Sequence, residues 1–145
     1  MEEAEAKPGV PAWYWAAAIA ALLFELLGCY FYLAEVRMTA EEIAALPLDQ
    51  AAMLAARPAW YYAAFGLAVW VGLAGTIGLL LRRAWAVAAL LVSLIAVITQ
   101  FSAIFIVPEM GDVTSDALLG PVVVIVLCYG IFNLSLLAKR RGWLR

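Results

Sequence analysis

Hydrophobic positions in this chain run in long continuous stretches, separated by short polar segments. Four such stretches lie at about 10–34, 59–81, 84–107 and 117–138, and only the first contains a charge, Glu25. A bilayer core is about 30 Å thick and a helix rises about 1.5 Å per residue, so about 20 apolar residues span it. Open strands cannot satisfy their backbone in lipid. The pattern therefore predicts an all-α membrane protein, a four-transmembrane-helix bundle forming a single transmembrane domain over 1–145.

The connections add detail. The second and third stretches are joined by little more than Arg82-Arg83, which makes them antiparallel neighbours. The longest connection, 37–58, carries two short helical runs. Thr39-x-x-Glu42 is a capping-box pattern ahead of Ile43-Ala44-Ala45-Leu46, Pro47 interrupts, and Asp49 to Ala56 is a second run. Both are read as short interfacial helices in the first outer loop. Gly120-Pro121 is expected to kink the fourth helix or mark its first turn. Trp13-Tyr14-Trp15, Trp60-Tyr61-Tyr62, Trp85 and Trp143 sit at the edges of the stretches, where aromatic rings favour the headgroup level.

Charge orients the bundle. With the N-terminus inside, the inner side holds Lys7, Arg82, Arg83, Lys139, Arg140, Arg141 and Arg145, and the outer side holds only Arg37 and Arg57. Seven cations against two place both termini in the cytoplasm by the positive-inside rule. The outer side then carries a net −5 and the inner side +4; with Glu25 the chain total of −2 is recovered. Composition agrees with lipid as the solvent: 68% of residues are hydrophobic and 14% charged, where soluble domains are nearer half and a quarter.

Glu25 is the residue most in need of an account. It lies roughly 18 Å along its helix, near the middle of the bilayer. Insertion scales put a charged side chain at a helix centre at about 2.5–3.5 kcal/mol, so such an acid is expected to face the bundle and to be neutral or partnered. Ala18, Ala21, Glu25, Gly28 and Tyr32 share one narrow face of small residues around it. In one reading Glu25 is a proton or ligand site; in the other it is a protonated acid that ties helices together. On the third helix Ser93, Ala96, Gln100 and Ala103 form a second small-and-polar stripe, expected to meet the first. Gln100 lies about 24 Å and Tyr129 about 15 Å from the inner edge, so both are candidate partners of Glu25. Asn133, nearer that edge, is expected in a separate helix contact. Gly28 and the run Gly72, Gly75, Gly78 are read as helix-packing positions, the latter beside an Ala64-Ala68-Gly72-Thr76 ladder.

Several chemistries lack their usual residues. The chain has no histidine, and Cys29 and Cys128 stand far apart inside apolar stretches, without metal or redox spacing. No enzyme activity, metal, cofactor or nucleic-acid partner is expected. Membrane lipid is the expected partner. A bundle this small has little room for its own solute pathway, so a homo-oligomer or a larger membrane complex is expected too.

Several short stretches resemble one family along the whole chain. They are Phe24-Glu25-Leu26-Leu27-Gly28, Arg57-Pro58-Ala59-Trp60, Leu80-Leu81-Arg82-Arg83-Ala84-Trp85, Ser93-Leu94-Ile95-Ala96-Val97 and Arg141-Gly142-Trp143-Leu144-Arg145. The family is that of uncharacterised bacterial four-transmembrane-helix proteins often labelled "sugar transporter". The resemblance implies the four-helix fold, a bacterial inner-membrane location and a role associated with transport of a small solute. Where this chain has Phe24-Glu25, that family commonly shows Trp-Asn. A fainter likeness, confined to the first helix, is to small multidrug resistance exporters, which carry a membrane-embedded Glu followed three residues later by Gly. The alternative to transport is a non-enzymatic accessory or scaffold subunit of a larger membrane complex.

Overall fold

A computed structural model describes residues 9–110 and 115–145, with 115–117 described by their backbone alone. Of the charges counted above, Glu2, Glu3, Glu5, Lys7, Asp112 and the side chain of Asp116 lie outside that description. The described chain is helical throughout, with α1 at Ala12–Val36, α2 at Ala40–Ala44 and α3 at Leu48–Ala56. It continues with α4 at Ala59–Leu80, α5 at Trp85–Ile106, a 3-10 turn at Pro108–Met110 and α6 at Ser115–Arg140. Four of these helices, α1, α4, α5 and α6, are long and apolar enough to cross a membrane. They form a four-helix bundle with Arg37, Glu41, Glu42, Asp49 and Glu109 at one end and Arg82, Arg83, Lys139, Arg140 and Arg141 at the other.

Local signals fall where the residue chemistry puts them. Thr39 Oγ1 accepts from the Glu42 backbone N–H, and the Thr39 backbone N–H donates to the Glu42 carboxylate at 2.7 Å, closing the capping box of α2. Pro47 then separates α2 from α3. Pro121 lies inside α6 rather than at its first turn, and the helix continues through it without one backbone N–H.

The order of packing is α1 on α4, α4 on α5, and α5 on α6. Residue numbers run in opposite directions across each interface, as antiparallel neighbours require. Tyr14 of α1 meets Leu79 of α4, Glu25 meets Gly72, and Cys29 meets Val69. Across the next interface Ala86 meets Gly78, Leu90 meets Gly75, and Ser93 meets Ala68. The three glycines of α4 explain how one helix serves both sides. At about 3.6 residues per turn, a step of three residues rotates the contact point by about 60°. Gly72 thus faces α1, while Gly75 and Gly78 have turned towards α5. A Cβ at Gly75 would sit 2.7 Å from Leu90 Cγ, and one at Gly78 would sit 3.0 Å from Ala86 Cβ.

This arrangement corrects one expectation. The small-residue stripes of α1 and α5 do not pack directly on each other, because each helix packs on α4, although Glu25 and Gln100 still reach one shared cavity. Glycine and alanine make α4 narrow enough to be approached from two sides, and the whole ladder Ala64, Ala68, Gly72 and Thr76 is buried.

Candidate functional site

At the basic end, α1 and α6 are drawn together. Tyr14, Ala138 and Trp143 are buried against one another, and the Tyr14 hydroxyl donates to the Leu79 carbonyl at 2.7 Å. Towards the acidic end the two helices follow different neighbours, α1 lying on α4 and α6 on α5. A cavity of about 190 Å³ lies between them. Glu25, Leu27 and Phe31 line it from α1, Phe65 and Ala68 from α4, Gln100 and Phe101 from α5, and Val124 and Cys128 from α6. Leu27 and Phe31 are also exposed on the outside of the bundle, so the cavity opens sideways, towards the position of lipid.

Glu25 is 4% exposed and forms no hydrogen bond or ion pair among the described residues. Its carboxyl group rests on Gly72, where an added Cβ would approach Oε2 to 2.5 Å and Cδ to 2.6 Å. The absence of a side chain at Gly72 is thus what makes room for the acid. A buried ionised carboxylate without a partner is costly, so the group is held neutral or meets a cation that enters the cavity.

Gln100 reaches the same cavity from α5. It is 4% exposed, and its Nε2 donates to the Tyr61 hydroxyl at 3.2 Å. Tyr61 stands in the first turn of α4, beneath Arg57, whose guanidinium carbon is 4.6 Å from the ring centroid. Arg57 in turn pairs with Glu35 at the end of α1, at 2.5 Å. Arg57 Nε is buried without an acceptor. Burial pushes the Arg57 guanidinium down, but Tyr61 and the Glu35 carboxylate outweigh it and raise it above the ordinary arginine range. A line of polar groups, Glu35, Arg57, Tyr61 and Gln100, therefore leads from the acidic end to the cavity that holds Glu25.

Of the three candidate ligand-binding residues, the fold brings Glu25 and Gln100 to one cavity and leaves Tyr129 outside it. Tyr129 is 60% exposed on the outer face of α6, and its neighbour Cys128 lines the cavity instead. Depth along the helix was the same for both; the one-residue rotation of about 100° separated them. Asn133 is exposed as well, and its Nδ2 donates to the Tyr129 carbonyl of its own helix at 2.8 Å, so within this chain it bridges no helices. Gly28 packs on Val69, with an added Cβ 3.0 Å from Cγ1, alongside the α4 glycines described above. Cys29 and Cys128 are buried free thiols, and no group of three His, Cys, Asp or Glu among the described residues could hold a metal ion.

Residue patterns did not single out Tyr61, Arg57 or Glu35 for the site. Tyr61 read as an edge aromatic, and Arg57 lies in extended backbone ahead of Pro58, so no helical spacing joins the two. The Glu35–Arg57 pair joins the end of α1 to the connection between α3 and α4 and has no local signature. No family model, no curated protein sequence and no solved structure matches the chain.

Proposed function

We propose that this chain is a transport-associated membrane protein in which the cavity between α1 and α6 receives a small solute and Glu25 exchanges a proton there. The reading rests on one observation: a nearly fully buried carboxyl group, with no partner in the described chain, faces a largely apolar cavity in a membrane-spanning bundle. An acid so placed can change its charge only when something beside it changes, which is the property that coupling a proton to a solute requires. Gln100 supplies donor and acceptor atoms to a solute, and Phe31, Phe65 and Phe101 supply apolar faces. At about 190 Å³ the cavity falls below the roughly 300 Å³ of ordinary ligand pockets, which favours a small solute or a site completed by a second subunit. The family label carried by the resembling proteins makes sugars the first solutes to try. The basic end is assigned to the cytoplasm of a bacterial inner membrane, on the charge asymmetry. The reading involves no catalysis.

The test is uptake of a panel of labelled mono- and disaccharides by vesicles containing the purified protein, with and without an imposed pH gradient. Gradient-driven uptake that Glu25→Gln abolishes, at unchanged expression and helix content, is the expected result. Uptake that is the same in Glu25→Gln removes the acid from the mechanism, and no uptake of any solute removes the transport reading.

A second reading, that of an accessory subunit, is favoured by a different observation. Val122, Val126, Tyr129 and Asn133 are exposed along one face of α6, and an amide on a lipid-facing surface seeks a partner helix. Native mass spectrometry from several mild detergents separates the possibilities. A reproducible co-purifying protein supports the accessory role, and a homo-oligomer alone counts against it.

A further inference from the structure

The basic end of the bundle contains a second construction, independent of Glu25. α4 finishes at Leu80, and the chain turns through Leu81, Arg82 and Arg83. The Arg83 N–H returns to the Gly78 carbonyl at 2.8 Å and the Arg82 N–H to the Leu79 carbonyl at 3.1 Å. This pair of bonds is the Schellman ending, whose turning residue is left-handed and usually glycine. Here it is Arg82, with φ of 57°. α6 ends in the same way with Gly142 at φ of 72°, its Trp143 N–H bonding the Ala138 carbonyl at 2.9 Å. That turn folds the following segment back beneath the bundle and buries Trp143 against Tyr14.

The returning segment then pairs with the α4–α5 turn. The Arg145 N–H donates to the Arg82 carbonyl and the Ala84 N–H to the Arg145 carbonyl, both at 2.7 Å. Arg82 Nε donates to the Trp143 carbonyl at 2.8 Å, across 61 positions of sequence. The result is that Arg82, Arg83 and Arg145, with Leu81, line one surface cavity of about 250 Å³. Main-chain bonds assemble these three like charges. Among the described residues no carboxylate pairs with any of them, the one ion pair found being Arg57–Glu35 at the opposite end.

Like charges held together attract an anion, and the planar guanidinium fork matches the oxygens of a phosphate group. The place of the cavity identifies the source of that phosphate. It lies where α4 stops and α5 starts, at headgroup level for any bundle that spans the bilayer. Leu81, 61% exposed, forms its apolar wall, and the exposed indole of Trp85 opens α5 beside it. We propose that Arg82, Arg83 and Arg145, drawn together by the pairing of the segment after α6 with the α4–α5 turn, form a binding site for the phosphate of an anionic phospholipid. Lys139, Arg140 and Arg141 stand apart from this cavity and act as general surface charge.

The test uses the full chain in a mild neutral detergent, titrated with phosphatidylglycerol or phosphatidylcholine of matched chains and read by native mass spectrometry, with inorganic phosphate as a competitor. Arg83→Gln and Arg145→Gln keep the main-chain bonds intact, and retained helix content and a monodisperse elution profile check the fold. Each is expected to weaken phosphatidylglycerol binding more than tenfold, and the double variant little further, because one phosphate loses its clamp once. Lys139→Gln and Arg140→Gln are expected to cost about fivefold or less, the effect of one general surface charge, and to multiply when combined. Binding of phosphatidylcholine is expected to stay unchanged throughout. Equal losses in the cavity variants and in Lys139→Gln or Arg140→Gln would overturn the site. Displacement of phosphatidylglycerol by equimolar inorganic phosphate would overturn its assignment to lipid.

Discussion

Replacing Gly72 by alanine places a methyl group where the Glu25 carboxyl group now rests. The added carbon would lie 2.5 Å from Oε2, 2.6 Å from Cδ and 2.7 Å from Oε1. Ordinary contact between heavy atoms is about 3.5 Å or more, so the carboxyl group must move about 1 Å away from α4. Forcing a packed side chain off its position costs about 1–3 kcal/mol. Alanine itself is favoured over glycine inside a helix by about 0.8–1 kcal/mol. The single variant should therefore range from neutral to about 2 kcal/mol less stable. In a Glu25→Ala background the clash disappears and only the gain of about 1 kcal/mol remains. The two substitutions should thus couple by about 1–3 kcal/mol, the clash alone. Unfolding of the four proteins in mixed micelles, followed by helical ellipticity as denaturing detergent is titrated in, measures that coupling. Gly75→Ala serves as the contrast, because its clash is with Leu90 and should not respond to Glu25→Ala. Additivity of Gly72→Ala and Glu25→Ala to within about 0.5 kcal/mol would show that the acid does not rest on Gly72.

Other substitutions probe the frame around the cavity. Tyr14→Phe removes the hydrogen bond that holds α1 to the last turn of α4 and should cost about 1 kcal/mol in the same unfolding assay; no change would mean that the bond contributes nothing to the closed end. Glu35→Leu strands the Arg57 guanidinium in a largely buried place and should cost about 3 kcal/mol, whereas Glu35→Leu with Arg57→Leu should recover most of that loss. A double variant as unstable as the single would refute the pairing. Gly142→Ala imposes a side chain at φ of 72° and should cost about 1 kcal/mol. It should also increase proteolysis of the segment after α6, which limited digestion would detect.

Length and continuity of apolar runs were enough to define the four long helices, because a helix in lipid closes its own backbone hydrogen bonds and each stretch can be judged alone. The capping box of α2, the break at Pro47 and the antiparallel pairing of α4 with α5 were legible for a similar reason: each depends on residues only a few positions apart. The small stripes around Glu25 and Gln100 were also legible as buried faces. Their partners were not. A glycine-rich face says that something comes close without saying which helix does, so the placement of α4 between α1 and α5 came only with the packed structure. Depth counted from a helix end could not tell Cys128 from Tyr129, since adjacent residues share a depth and differ by a turn of about 100°. The Glu35–Arg57 pair, the convergence of Arg82, Arg83 and Arg145, and the sideways opening beside Glu25 all join residues from different helices or turns. Residue order was enough to place four helices in a membrane with one acid buried among them. What that acid touches emerged only from the packed bundle, because in lipid the contacts between helices are chosen by shape, and shape is a property of two surfaces at once.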